Sequence, residues 1–206
     1  MIPVDQINID ITPEDRLNLE QILLRFKEPK TPEQTFYDMC FCICAPQTRF
    51  KYNKIVNQRL RDNDFYRKDI SQDVLADMVK EVRFYNNKSK WLIFAKNRYN
   101  SVLDIISNKN YPDNQWRRML LVRAILGLGF KTASHFLRNQ GIIDLAIIDT
   151  HVLKFLDAPK PMSQQSYERI ERYFGEVANK FSLSIAQLDA LVWKQYSNTP
   201  WKEFTI

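Results

Sequence analysis

The chain has 206 residues, 45% of them hydrophobic, which suffices for one compact unit or two small lobes with an ordinary core. Thirty Lys and Arg against 24 Asp and Glu leave a formal charge of +6, a surplus that suits an anionic partner without requiring one. No stretch approaches the roughly 18 consecutive apolar residues of a membrane helix, and Met1-Ile2-Pro3-Val4-Asp5 lacks a basic region followed by an apolar one. A cytoplasmic protein with no membrane partner is expected.

Taken in chain order, Thr12-Pro13-Glu14-Asp15 and Thr31-Pro32-Glu33-Gln34 each place a capping hydroxyl before a first-turn proline and acids, the second as a full capping box. Each opens a helix. The second runs through Phe36, Met39, Cys40 and Ile43 and stops before Pro46, because the residue preceding a proline is pushed out of the α region; Gln47 then begins a loop. Apolar residues at three- and four-residue intervals predict further helices near 50–60, 71–82, 88–99 and 112–126. Another spans 131–140, with Ala133, Phe136 and Leu137 inward and Gly141 as its left-handed terminator. The apolar run 142–148 is read as an extended connection, and Asp149 caps the helix that follows. Ser184-Ile185-Ala186-Gln187 is a capping box opening a last helix through Leu188, Leu191, Val192 and Trp193.

The expectation from these elements is an all-α fold. Asp157-Ala158-Pro159-Lys160-Pro161 is the stiffest connector and a candidate separator of a C-terminal helical piece. Cys40, Cys42 and Cys44 read as free thiols, Cys42 pointing away from the other two on a helix; neither they nor His135 and His151 follow a metal-ligand pattern. No metal and no organic cofactor is expected.

Two of the chain's four glycines fall in Leu126-Gly127-Leu128-Gly129-Phe130-Lys131. A Gly-x-Gly turn between helices lets the backbone take up positive φ and approach a phosphate, while the next helix offers its N-terminal amides to the same anion. Lys131 would sit beside a bound nucleic-acid backbone. A primary amine can attack the anomeric carbon of a damaged nucleotide and leave a Schiff base with the opened sugar. It must shed its proton to do so, and burial among Leu128, Phe130 and neighbouring helices is expected, with Asp149 as the nearby carboxylate. Equally, Asp149 serves as a plain N-cap and Lys131 as a plain phosphate contact in a module that binds DNA without chemistry.

Gly127-Leu128-Gly129-Phe130-Lys131-Thr132-Ala133 followed by Ala146-Ile147-Ile148-Asp149-Thr150-His151-Val152 resembles the helix-hairpin-helix DNA glycosylase superfamily. Within it, Ala133-Ser134-His135-Phe136-Leu137-Arg138-Asn139, Val82-Arg83-Phe84 and Asn86-Asn87-Lys88 are similar to the second, archaeal and bacterial, family of 8-oxoguanine DNA glycosylase/AP lyases. The resemblance implies a bifunctional enzyme acting on double-stranded DNA with a damaged base, built of two helical lobes, a terminal one of residues 1–45 plus 152–206 and another of residues 46–151, with its hairpin at the cleft between them; a monomer is the default expectation. In it Lys131 is the Schiff-base nucleophile, Asp149 its acidic partner, and Gly127 and Gly129 contact the DNA backbone. It further implies that Gln47 enters the duplex where the target nucleotide has left, and that Phe84, Trp193 and Lys202 form the base pocket. Arg117, Arg118, Arg123, Arg138, Lys154, Lys51 and Lys54 are candidates for phosphate contact, of which two or three are expected to serve.

Three departures from the family pattern stand out. Thr132 occupies a position where the family commonly has glutamate and resembles the endonuclease III branch. Glu203-Phe204-Thr205-Ile206 continue past Lys202, where the family ends on a free carboxylate. No cysteine follows Cys44, whereas the endonuclease III branch carries a C-terminal four-cysteine cluster. An endonuclease III-like glycosylase/lyase for oxidised pyrimidines is therefore the alternative enzyme.

Overall fold

The computed structural model describes residues 1–197, 200 and 201, and these contain a 3-10 helix at Val4–Gln6, eleven α-helices and no strand. In chain order the helices are α1 (Pro13–Lys27), α2 (Pro32–Cys44), α3 (Phe50–Asp62), α4 (Gln72–Met78), α5 (Tyr85–Asn97), α6 (Tyr99–Ser107), α7 (Asn114–Ala124), α8 (Phe130–Asn139), α9 (Thr150–Phe155), α10 (Gln164–Lys180) and α11 (Ile185–Ser197). The all-α expectation holds, and Lys202 lies outside the described residues.

Two compact units emerge, Pro29–Phe136 and a terminal unit made of Met1–Glu28 with the chain from Leu137 onward. These borders differ from the expected 45/46 and 151/152 for physical reasons. Helix α2 is buried at every residue from Thr35 to Cys44, an all-round burial that marks a core helix, and it packs on α3 and α5 within the central unit. The segment 145–148 is tied to α10 and so belongs to the terminal unit. The Asp157 to Pro161 connector also lies inside the terminal unit and separates no lobe.

In the central unit, Phe36 of α2 is surrounded by the rings of Tyr37, Phe65, Tyr66 and Tyr99 at centroid distances of 5.1–5.6 Å, a range in which tilted and edge-on pairs are favourable. Cys40, Cys42 and Cys44 are reduced and buried in the same helix. Burial pushes the Cys40 thiol well above its ordinary pKa and that of Cys44 to about 12, which leaves both unreactive.

In the terminal unit α11 packs against α1, α9 and α10. The first capping motif proves to be as complete as the second: Thr12 accepts from the Asp15 amide, and Asp15 reaches back to the Thr12 amide. Asp15 also accepts from Lys194 Nζ at 2.9 Å and Trp201 Nε1 at 2.8 Å, so one carboxylate joins α1 to α11 and the chain beyond it. Burial opposes its ionisation, yet the hydrogen bonds from Lys194, Trp201 and Thr12 together outweigh burial and lower its pKa from 3.8 to about 2.

A carboxylate with a depressed pKa contributes stability above its unfolded value, and that contribution fades as pH falls toward the folded value. Asp15→Asn should therefore cost about 2 kcal/mol at neutral pH, with the gap to the parent closing between about pH 4 and pH 2 in denaturant melts. A gap that stays constant over that range would show that the charge of Asp15 contributes nothing.

Candidate active site

The hairpin is built by one turn and one cap. Helix α7, capped by Asp113 through the Trp116 amide, ends at Ala124, and Leu128 N–H closes a turn onto Ile125 O at 3.3 Å. Gly127 occupies the third position of that turn at φ 89°, a conformation that L side chains resist. A Cβ on Gly127 would also lie 2.8 Å from Trp91 Cε3. Gly129 differs from the expectation: its φ is not left-handed, and a Cβ there would meet nothing within 4 Å. Its amide donates to Thr132 Oγ1 at 2.8 Å, the arrangement in which an N3 side chain caps the helix start. Thr132 thus sets where α8 begins.

Arg118 pins the two helices together. It is fully buried, stacks 5.0 Å from the Phe130 ring centroid and donates to Ser134 Oγ at 3.1 Å. Lys131 follows in the first turn of α8 and is exposed, so the burial expected around it is not provided by the free hairpin, although Leu128 itself is buried.

Asp149 caps α9 in the terminal unit, its Oδ1 accepting from the His151 and Val152 amides at 2.8 and 2.9 Å. The segment leading to it is held by α10. Tyr167 OH donates to Ala146 O at 2.8 Å and accepts from Ile148 N at 3.1 Å, and Glu171 Oε1 accepts from Ala146 N at 2.8 Å. Both side chains are buried, and neither was singled out by sequence reasoning.

Helix α5 connects three parts of the central unit's site. Phe84, its N-cap, stands at φ 60° and is 49% exposed, with Arg83 4.9 Å from its ring centroid; packing in a helical core is therefore not its role. Lys88, four residues on, is buried and donates to Cys44 O, Pro46 O and Thr48 Oγ1, which brackets the exposed Gln47 at φ 57°. Trp91, three further, packs on Gly127. Positions 88 and 91 follow the i, i+3 spacing of one helix face, whereas Phe84 precedes the helix with left-handed backbone. Trp193 is half-buried on α11 in the terminal unit.

The structure also sorts the basic candidates. Arg118 is buried, Arg117 is bound to Asn114 Oδ1 and Asn108 O, and Arg138 pairs with Asp189 at 2.5 Å and lies over Phe26. All three are committed to the fold. Arg123, Lys154, Lys51 and Lys54 are exposed. Among the described residues no three His, Cys, Asp or Glu side chains converge as a metal-holding group.

This geometry has close counterparts. The crystal structure of the Methanocaldococcus jannaschii 8-oxoguanine glycosylase/lyase in complex with a 15mer DNA containing 8-oxoguanine matches at a TM-score of 0.82 with 26% identity, covering 97% of this chain and 99% of that one. The helical architecture is that of a helix-hairpin-helix DNA glycosylase. An 8-oxoguanine DNA glycosylase/AP lyase from Sulfolobus acidocaldarius is 33% identical over 187 residues, 87% of this chain and 89% of the relative, and one from Methanocaldococcus jannaschii is 30% identical over 173 residues, 80% and 81%. Residues 19–183 match the 8-oxoguanine DNA glycosylase family, and the chain belongs to that family.

The two glycines should separate in a stability measurement. Gly127→Ala meets both a left-handed φ and the Trp91 ring and should cost about 2 kcal/mol or more, whereas Gly129→Ala should stay within about 0.5 kcal/mol. Equal thermal shifts for the two variants would contradict the turn geometry.

Proposed function

We propose that the protein is a bifunctional DNA glycosylase/AP lyase that removes 8-oxoguanine from duplex DNA. The observation that carries this reading is Lys131, exposed in the first turn of α8 directly after the glycine turn, in a chain of this family. Its neutral Nζ attacks C1′ of the damaged nucleotide as the N-glycosidic bond breaks, and the base leaves with the electron pair and takes up a proton; the C1′–O4′ bond of the aminal then opens, O4′ gaining a proton and Nζ having lost one, so that C1′ becomes doubly bonded to nitrogen. The resulting Schiff base loses a C2′ proton and expels the 3′ phosphate by β-elimination, which nicks the strand. No metal or organic cofactor enters these steps.

Asp149 is the carboxylate partner, accepting protons and balancing the positive charge that develops on the sugar. Its Oδ1 is occupied by two backbone amides, which fixes the orientation of the carboxylate. The exposed Gln47 is the residue that enters the duplex, offsetting part of the few kcal/mol lost on eversion. Phe84 and Trp193 are the residues that receive the base by stacking, and Lys202, outside the described residues, is the third group assigned to the base pocket. Thr132 bears on hairpin geometry through its bond to Gly129, so its identity is weak support for a pyrimidine substrate.

Borohydride trapping on end-labelled duplexes tests the chemistry. A covalent adduct should form on an 8-oxoguanine duplex and disappear in Lys131→Gln, with binding retained, while Asp149→Asn should slow base release by about 100-fold or more. Full base release by Lys131→Gln, or stronger trapping on thymine glycol than on 8-oxoguanine, would overturn the assignment. Substituting Lys51, Lys54, Arg123 or Lys154 by alanine should reduce the salt dependence of DNA binding by at most about 0.9 in logarithmic slope each. Alanine at Arg138 should instead act mainly on stability.

A further inference from the structure

We propose that Lys88 is a positioning residue whose buried ammonium holds Gln47 and Phe84 at a fixed spacing, so that filling the duplex and receiving the everted base occur together. The inference rests on the reading of Gln47 as the residue that enters the duplex.

Lys88 is 1% exposed, and its three donors are all used, at 2.7 Å to Cys44 O, 2.8 Å to Pro46 O and 3.0 Å to Thr48 Oγ1. The two carbonyls precede Gln47 and the hydroxyl follows it, so the loop is gripped on both sides of the residue. Thr48 N–H closes the same turn onto Ala45 O at 3.0 Å. Gln47 stands at φ 57°, which a non-glycine residue keeps only when its surroundings hold it there. At the other end, the Lys88 backbone amide donates to Phe84 O at 3.0 Å in the first turn of α5, and Phe84 is itself at φ 60°. Lys88 thus ties the Gln47 loop through its side chain to the start of α5 at Phe84, which its backbone amide holds, within one unit.

The polarity around α5 is inverted in a way that stability alone does not explain. Residues 83–87 are exposed, Phe84 and Tyr85 among them, whereas Lys88 and Ser89 are buried. Burial lowers the Lys88 pKa, and among the described residues its side-chain partners are uncharged oxygens. A buried ammonium of this kind is costly unless every donor is satisfied. A methionine would fill the same volume without that cost, but would leave the two carbonyls and the loop unheld.

Lys88→Met, Thr48→Val and Gln47→Ala should be compared in single-turnover reactions on an 8-oxoguanine duplex and on a duplex with a preformed abasic site, where no base has to leave the stack. Lys88→Met should slow the first reaction about tenfold and leave the second within about twofold. Gln47→Ala should show the same asymmetry, and the double variant should be no slower than the slower single one, because both act through one loop. Thr48→Val removes one acceptor and should show the asymmetry at smaller size; it carries the test if Lys88→Met does not fold at the assay temperature. Equal slowing on both duplexes, or multiplied effects in the double variant, would reduce Lys88 to general support of the fold and overturn the proposal. If Gln47→Ala shows no asymmetry, the reading of Gln47 fails and takes this inference with it. If Gln47→Ala shows it while Lys88→Met and Thr48→Val do not, the Lys88 inference fails alone.

Discussion

One face of α5 sets the geometry of the central unit's site. Lys88 and Trp91 lie three residues apart on it and touch the 44–48 loop and the glycine turn of the hairpin, and the exposed Phe84 stands at the helix N-cap. A helix is stiff over this distance, a rise of about 1.5 Å per residue, so the three parts are placed by one rigid object rather than by three independent loops. The left-handed backbone at Gly127 belongs to the same constraint. The Trp91 ring fills the space a Cβ would need, so the turn and the α5 face determine each other. A change at any of the three positions is therefore felt as a displacement of the others.

A division of labour follows in both units. The groups proposed to touch DNA are exposed or half-buried, and the groups that aim them are buried and polar. Arg118 and Thr132 fix where α8 starts, Lys88 fixes the Gln47 loop, and Tyr167 with Glu171 fixes the extended approach to Asp149. Each of these supports is individually expensive, since a buried polar group that loses its partner costs about 1–3 kcal/mol. A core of aliphatic side chains would stabilise the helices at lower cost. It could not hold a loop carbonyl or an unpaired amide at a set position, because dispersion contacts have little directionality whereas hydrogen bonds to carbonyl oxygens have strong directionality.

Much of this was legible in the sequence because it is local. Thr31, Ser184 and Asp149 announce helix starts through their own side chains, and Gly141 announces a helix end through its φ of 86°. Helices α6 and α10 were not singled out. The first begins directly after α5 with no capping side chain, and the second uses a Ser163/Ser166 box in place of the usual Glu or Gln. The lysine and aspartate of the proposed chemistry could be picked out from a short motif, whereas their supports could not. Lys88 reads only as a member of the Asn86-Asn87-Lys88 motif, with no role of its own, and Arg118 as one more phosphate contact, until the contacts between distant segments are known.

The exposure of Lys131 bears on how such a site is selective. A lysine nucleophile needs desolvation, and the free hairpin does not supply it, for only Leu128 of the flanking apolar pair is buried. The covering must then come with the substrate. A nucleotide left in the stack cannot provide it, whereas an everted one brings sugar and base over the amine. The Gly129 amide is already engaged by Thr132, so on the proposed reading the hairpin would hold a phosphate at the first turn of α8, where the helix dipole favours an anion. Phosphate binding and covering of the amine would thus occur on the same turn of α8. On the proposed reading, reactivity in this arrangement would be conditional on eversion, and eversion would depend on the loop that Lys88 of α5 holds and the aromatic at its N-cap.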